Sequence, residues 1–344
     1  MSDNPTPLPP SELSPTLTPA PSAARPSALH TIFVGPYGLR AGWRFALWVL
    51  LVFVLSFLVR TVRHKLLHVQ SADGQELDAV FTLMSRIRGF LVAVVATLIM
   101  GRIERGKWAD YGLPLRRILS FDFWFGVFWG FAGLTVVMAA LWLTGTYRIE
   151  GIALAGAAIW KYAILWALAF YFVALLEEFT LRGYPQYTLA SGMGFWPSAV
   201  ILSLVFLSGH IGNPGENWMG LSDVFIIGMF LCFTLWRTGD LWFAVGMHAS
   251  WDWGLTYFFS VPNSGTVATG HLLNVHTQGP NWLTGGSAGP EGSAINLVFD
   301  LLCFVIFAMI YKKRKWVGLK DKRKTVQAPA TSPTTLLDSS ALQS

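Results

Sequence analysis

Two carboxylates stand side by side in LLEEFTLRGY, residues 175–184, at the end of the apolar run AILWALAFYFVALL. Glu178 and Arg182 are four residues apart, so on a helix they share a face and can pair. Glu177 is turned about 100° away from Glu178, because a helix completes a turn in about 3.6 residues. One acid is then neutralised by Arg182, and the other is free to face something else. In HASWD, His248 and Asp252 are also four apart, where a carboxylate can orient or polarise an imidazole. FLSGH repeats the spacing with Phe206 and His210.

Taken singly, each feature has a bland reading. A Glu–Arg pair is more often structural than catalytic, a histidine near a helix end is usually satisfied there, and HxxxD is common by chance. Together they weigh differently. Left unpaired in lipid, these acids, the arginine and the histidines would cost roughly ten kcal/mol or more, since each ionisable group costs about 2.5–3.5 kcal/mol at mid-bilayer. They must converge on each other or on water. A buried cluster of Glu, His and Asp handles protons, binds a metal or hydrolyses.

The elements that would carry them are membrane spans. The 344-residue chain is 53% hydrophobic and only 13% charged, about half the charge of a soluble domain. A crossing helix needs roughly 17–25 residues. Eight apolar segments run over about 42–60, 88–101, 121–144, 157–180, 196–211, 222–237, 240–259 and 294–311. Trp43, Trp124, Trp160, Trp196 and Trp242 mark their ends as an interfacial belt does. The expected fold is all-α and polytopic, with about eight transmembrane helices around a buried polar active site. Asp300 and Lys161 fall nearer segment ends. Counted from the segment starts, His210 and His248 differ in depth by about 10 Å. A tilted fifth helix or a different boundary would reconcile them.

The net charge of +6 is concentrated in KKRKWVGLKDKRK near the C-terminus. It speaks for membrane orientation and against nucleic-acid binding. With that flank cytoplasmic, eight crossings put both termini inside, and Arg102, Arg105, Lys107, Arg116 and Arg117 also lie inside. The loop 61–87, with Arg63, Lys65 and Arg86, departs from this pattern. Residues 1–30 read as a disordered Pro/Ser/Thr-rich tail, 31–315 as the membrane domain, and 316–344 as a basic, then disordered, cytoplasmic tail. Cys232 and Cys303 sit in apolar runs and read as small buried hydrophobes. The loop 260–293 lacks Lys and Arg; it either covers an outer entrance or merely connects helices.

EEFTLR, FLSGH and HASWD resemble, in order and separation, the EExxxR, FxxxH and Hxxx(N/D) motifs of the CPBP family. These are the CAAX-processing and bacteriocin-processing intramembrane proteases, also called Abi, related to Rce1-type prenyl-protein endopeptidases. The core resemblance covers about residues 155–260. It implies an eight-helix membrane endopeptidase whose active site opens within the bilayer, in a multi-pass bacterial inner or plasma membrane. The partners implied are the lipid bilayer and a peptide or prenylated protein substrate: a CAAX-type protein, a bacteriocin-like peptide or a membrane-protein stub.

The residues suggest a division of labour. Glu177 is the base, His210 holds the same water, and His248 with Asp252 stabilises the oxyanion. Glu178 and Arg182 anchor the helix end. An ionised Asp252 cannot donate as the family's alternative Asn does, but it can accept from His248 and so make His248 the donor. A Zn²⁺ version uses Glu177, His210 and His248 as ligands with a water in the fourth position. No HExxH is present, and the residues lean toward no required metal, because the Glu pair is mostly accounted for without one. Two rival functions are a proton-coupled transporter and a non-catalytic bacteriocin-immunity or binding protein of the same fold.

Overall fold

Runs of Leu, Val, Phe, Ala and Trp without intervening proline make helices here, and their ends carry identifiable stops. The computed structural model describes residues 32–35, 38–66 and 78–319. The tails expected at 1–30 and beyond 319 lie outside the described residues. In the unit formed by residues 1–40, Val34–Gly35 pairs antiparallel with Gly38–Leu39.

The second unit begins at Ala41. Its helices are α1 (Ala41–Leu66), α2 (Ala79–Glu104), α3 (Phe121–Leu143), α4 (Ala157–Arg182), α5 (Tyr184–Met193), α6 (Phe195–Ser208), α7 (Trp218–Thr238), α8 (Trp242–Trp253), the single turn α9 (Asn281–Thr284) and α10 (Ala294–Ile310). A π-helical turn, Gly254–Phe258, prolongs α8. Among the described residues five helical stretches are long and apolar enough to cross a membrane: Ala41–Lys65, Ala79–Glu104, Phe121–Leu143, Ala157–Met193 and Trp218–Thr238. Phe195–Ser208 and Ala294–Ile310 are apolar but shorter. The chain is a multi-pass, all-α membrane protein. Large side chains such as Phe53, Phe57, Phe128 and Leu143 are exposed on its outside, where hydrocarbon can cover them and backbone groups are already paired within helices.

Two differences from the expected boundaries bear on the site. The second apolar segment begins nine residues earlier, at Ala79, because Asp78 caps it: its carboxylate accepts from the Phe81 amide at 2.8 Å. Arg86 therefore lies on α2 and not in a loop. The fifth segment ends at Ser208, so His210 sits on a turn beyond α6, where its amide bonds back to the Leu207 carbonyl.

The positioning of α8 depends on glycine. A β-carbon at Gly126 or Gly130 of α3 would stand 2.2 Å from the Phe243 or Met247 carbonyl oxygen of α8, and one at Gly246 would stand 2.2 Å from the Phe123 oxygen. Small residues four apart let two backbones approach this closely in lipid. The approach seats His248 and Asp252 inside the bundle. Strand β1 (Tyr147–Ile152) pairs antiparallel with β2 (Leu273–Thr277), tying the loop 260–293 to the segment after α3. Cys232 and Cys303 are both free and buried.

Candidate active site

The last turns of α4 hold the first part of the site. Glu178 and Arg182 are completely buried, and Arg182 Nη1 lies 3.1 Å from Glu178 Oε1. The second guanidinium nitrogen donates to the Gly228 carbonyl of α7 at 3.2 Å. A β-carbon at Gly228 would crowd it at 3.3 Å, so glycine leaves the guanidinium its place. The face of the Phe206 ring lies 4.9 Å from the guanidinium carbon, within cation–π range. Burying two charges is costly unless they are paired and hydrogen-bonded, and here each neutralises the other.

His248 comes to this pair from α8. Its Nδ1 is 3.0 Å from Glu178 Oε1. The other nitrogen, Nε2, lies 3.5 Å from Asp252 Oδ2 and 3.8 Å from Glu177 Oε2. One imidazole is thus ringed by three carboxylates. The expected His248–Asp252 approach is present, and Glu178 adds a contact from a helix 70 residues away in sequence.

Glu177 differs from its neighbour in exposure. Its side chain is 24% accessible, against none for Glu178. It faces a cavity of about 350 Å³ and meets Arg86 Nη1 of α2 at 3.5 Å. Sequence reading missed Arg86, because it took the apolar core at 88–101 as the helix. Asp78 followed by AVFTL is the capping signal that extends the helix to include Arg86.

His210 stands on the same cavity wall. Its Nδ1 lies 2.9 Å from the Phe206 carbonyl oxygen, and its ring packs edge-on against the Phe206 ring with centroids 4.6 Å apart. A carbonyl only accepts, so Nδ1 carries the proton, and in the neutral ring Nε2 is the acceptor. His210 makes no ion pair with the acids. The structure therefore brings five of the six expected residues into direct contact, and His210 joins them only through the shared cavity. The proposed zinc set does not close in this arrangement. Among the described residues no three His, Cys, Asp or Glu are grouped to hold a metal ion.

Residues 159–254 match the family model described as type II CAAX prenyl endopeptidase Rce1-like. The chain carries an Rce1-like domain. No curated protein and no solved structure matches the chain.

All six expected residues fall within the Rce1-like domain, and so does Asp223 on α7. The cavity is not made by that domain alone. Arg86 comes from α2, while Glu291, Asn296 and Asp300 come from the region after it. Asp300 is 1% exposed and lies deep in the bundle, not at the span edge that its position suggested. Asp223 was missed because it stands one residue past the expected start of its span. Asn263, Ser264 and Thr266 of the long loop also line the cavity, so this loop forms part of the wall.

Proposed function

We propose that the chain is an intramembrane endopeptidase that hydrolyses a peptide bond of a membrane-associated or lipidated peptide, with CAAX-type C-terminal processing as the leading class. The observation that carries this is the difference between two neighbouring acids. Glu178 is sealed by Arg182 and His248, whereas Glu177 remains accessible to the cavity beside the same histidine.

In this reading Glu177 takes a proton from a water as its oxygen attacks the scissile carbonyl carbon. Arg86 orients the Glu177 carboxylate. The Nε2 acceptor of neutral His210 holds the same water from another side. With a proton on each nitrogen, His248 donates through Nδ1 to Glu178 and presents Nε2–H to the developing oxyanion. Asp252, with Oδ2 3.5 Å from Nε2, contributes by holding His248 in its charged form and does not touch the oxyanion. When the C–N bond breaks, the proton held by Glu177 passes to the departing amine, leaving a carboxylic acid and a free amine, between which the remaining proton then equilibrates. Each step uses side chains of this chain alone, and none is routed through a metal, since the donors do not fit one as arranged.

The test is cleavage of a prenylated peptide ending in a CAAX-type sequence by purified protein in lipid nanodiscs, read by mass spectrometry. Wild type should release the C-terminal tripeptide, and Glu177→Gln should abolish release while keeping the melting temperature. Full cleavage by the Glu177→Gln protein would overturn the assignment.

A further inference from the structure

Four basic residues follow α10 almost at once, Lys312, Lys313, Arg314 and Lys315, and all four side chains are exposed. Their backbone is pinned to the end of α7. The Lys315 and Trp316 amides both donate to the Trp236 carbonyl at 3.2 Å, and Arg237 Nη1 donates to the Lys312 carbonyl. The Arg314 guanidinium carbon lies 4.0 Å from the centre of the Trp236 ring, and Trp316 stacks on Trp236 with centroids 5.6 Å apart. Backbone bonds and stacking thus hold five cations together, the fifth being Arg237 of the last turn of α7.

Charge at this end of the bundle is one-sided. Among the described residues no Asp or Glu comes within ion-pair distance of Arg237 or of the four basic residues after α10. Asp122 and Asp240, which stand at the same end, are already taken: Asp122 by Arg117 and Tyr311, Asp240 by Arg117 and the Trp242 amide. Like charges held side by side repel, and a pinned backbone keeps them from spreading apart. Depth is set by a separate observation. α7 is long and apolar enough to cross a membrane and ends at Thr238, so Arg237 and the pinned segment stand at headgroup level. Trp196 is 40% exposed, its ring centre lies 5.5 Å from that of Trp236, and it marks this level as interfacial tryptophans do. An anion resident at that depth is a phospholipid phosphate.

We propose that Arg237 and the basic residues 312–315 form a binding site for the headgroup of an anionic phospholipid. Arg314 donates to the protein through Nε, to the Trp316 carbonyl at 3.2 Å, which leaves its terminal nitrogens for phosphate oxygens. Guanidinium offers paired planar donors to a phosphate, and the lysines add point charges around it. The acyl chains of such a lipid meet Met309 and Ile310, exposed at the end of α10. A zwitterionic headgroup brings a cation of its own into the cluster and gains less. None of these side chains lines the cavity, so the inference does not depend on the endopeptidase reading.

The test counts lipid bound to the purified full-length protein by native mass spectrometry, with phosphatidylglycerol and phosphatidylcholine titrated separately in one detergent. Wild type should bind phosphatidylglycerol at least about tenfold tighter, since each basic group beside an anionic headgroup contributes roughly fivefold. Lys312→Gln/Lys313→Gln should weaken phosphatidylglycerol binding about twentyfold and leave phosphatidylcholine binding unchanged. Arg60→Gln/Lys65→Gln is the control. Both of its residues are exposed toward the far end of α1, whose start is tied through Arg44 to Ser191 of α5, the helix whose Tyr187 lies beside Trp316. The control should bind as wild type does. Equal affinity of wild type for the two lipids overturns the inference. So does a loss in the control as large as in the site variant, which would reduce the attraction to net charge. Displacement of the lipid by inorganic phosphate at equal concentration overturns it in favour of a soluble anion. If the site variant fails to fold, photo-crosslinking of wild type with a phosphatidylglycerol labelled near its headgroup decides. Labelled peptides should come from the segment after α10 and the end of α7, and labels confined to other helices overturn the site.

Discussion

Glu178 Oε1 is shared by two partners, with Arg182 Nη1 at 3.1 Å and His248 Nδ1 at 3.0 Å. The same oxygen neutralises the arginine and fixes the ring of the histidine. The acid that looks purely structural therefore also positions an imidazole that lines the cavity.

Removing one charge from this pair should be worse than removing both. Arg182→Met leaves a fully buried carboxylate without its main partner and should destabilise the protein by about 3–5 kcal/mol. Adding Glu178→Gln to Arg182→Met should recover a large part of that loss, while cleavage stays low because His248 has lost its anchor. Thermal unfolding of the two variants and wild type in one detergent measures the difference. A double variant no more stable than Arg182→Met would count against the pairing.

Arg86 should matter for rate more than for stability. Its side chain is 39% accessible and meets Glu177 at 3.5 Å, and a pair this wet contributes roughly 0–1 kcal/mol. Arg86→Gln should lower kcat at least tenfold, because Glu177 loses its orienting partner, and should leave the melting curve within about a degree. Steady-state kinetics alongside calorimetry separates the two effects. A large drop in melting temperature with unchanged kcat contradicts this role.

The contact between α3 and α8 can be tested with single methyl groups. Gly130→Ala would push a β-carbon to 2.2 Å from the Met247 oxygen and 2.4 Å from Ser250 Oγ, immediately beside His248. Overpacking of this kind costs about 1–3 kcal/mol, and displacement of His248 should reduce cleavage further. Gly151→Ala is the control, since a β-carbon there meets nothing within 4 Å. Equal behaviour of the two variants would show that the close approach does not position the site.

Asp240, in the turn between α7 and α8, should impose a pH dependence on folding. Burial pushes its carboxyl up to about 6, against the opposing pull of Arg117. A folded pKa above the unfolded one means that the contribution of Asp240 is fully present below about pH 4 and fades as pH rises through 6. Asp240→Asn should lose this slope. The stability difference between wild type and variant should therefore shift toward the variant by about 1–3 kcal/mol between pH 4 and pH 7. Denaturation midpoints at a series of pH values report it, and parallel curves for the two proteins would refute it.

Much of the site was legible because helix geometry is local. The four-residue spacing in EEFTLR sets Glu178 under Arg182, and the same spacing in HASWD sets His248 beside Asp252, whatever surrounds them. The offset of about 100° between consecutive residues already separates Glu177 from Glu178. The apolar runs likewise announce a bundle in lipid, since hydrocarbon admits little else.

Relations between distant residues had to wait for the packing. Arg86 reaches Glu177 across 91 positions, and His248 meets Glu178 across 70. No periodicity within one helix encodes such a meeting. It depends on how closely α3 and α8 approach at their glycines, and on where Asp78 and Ser208 begin and end neighbouring helices. The juxtaposition of Asp223 with Asp300 is of the same kind. Each is an unremarkable acid in its own segment, and only the bundle that closes around them brings the two together on one cavity wall.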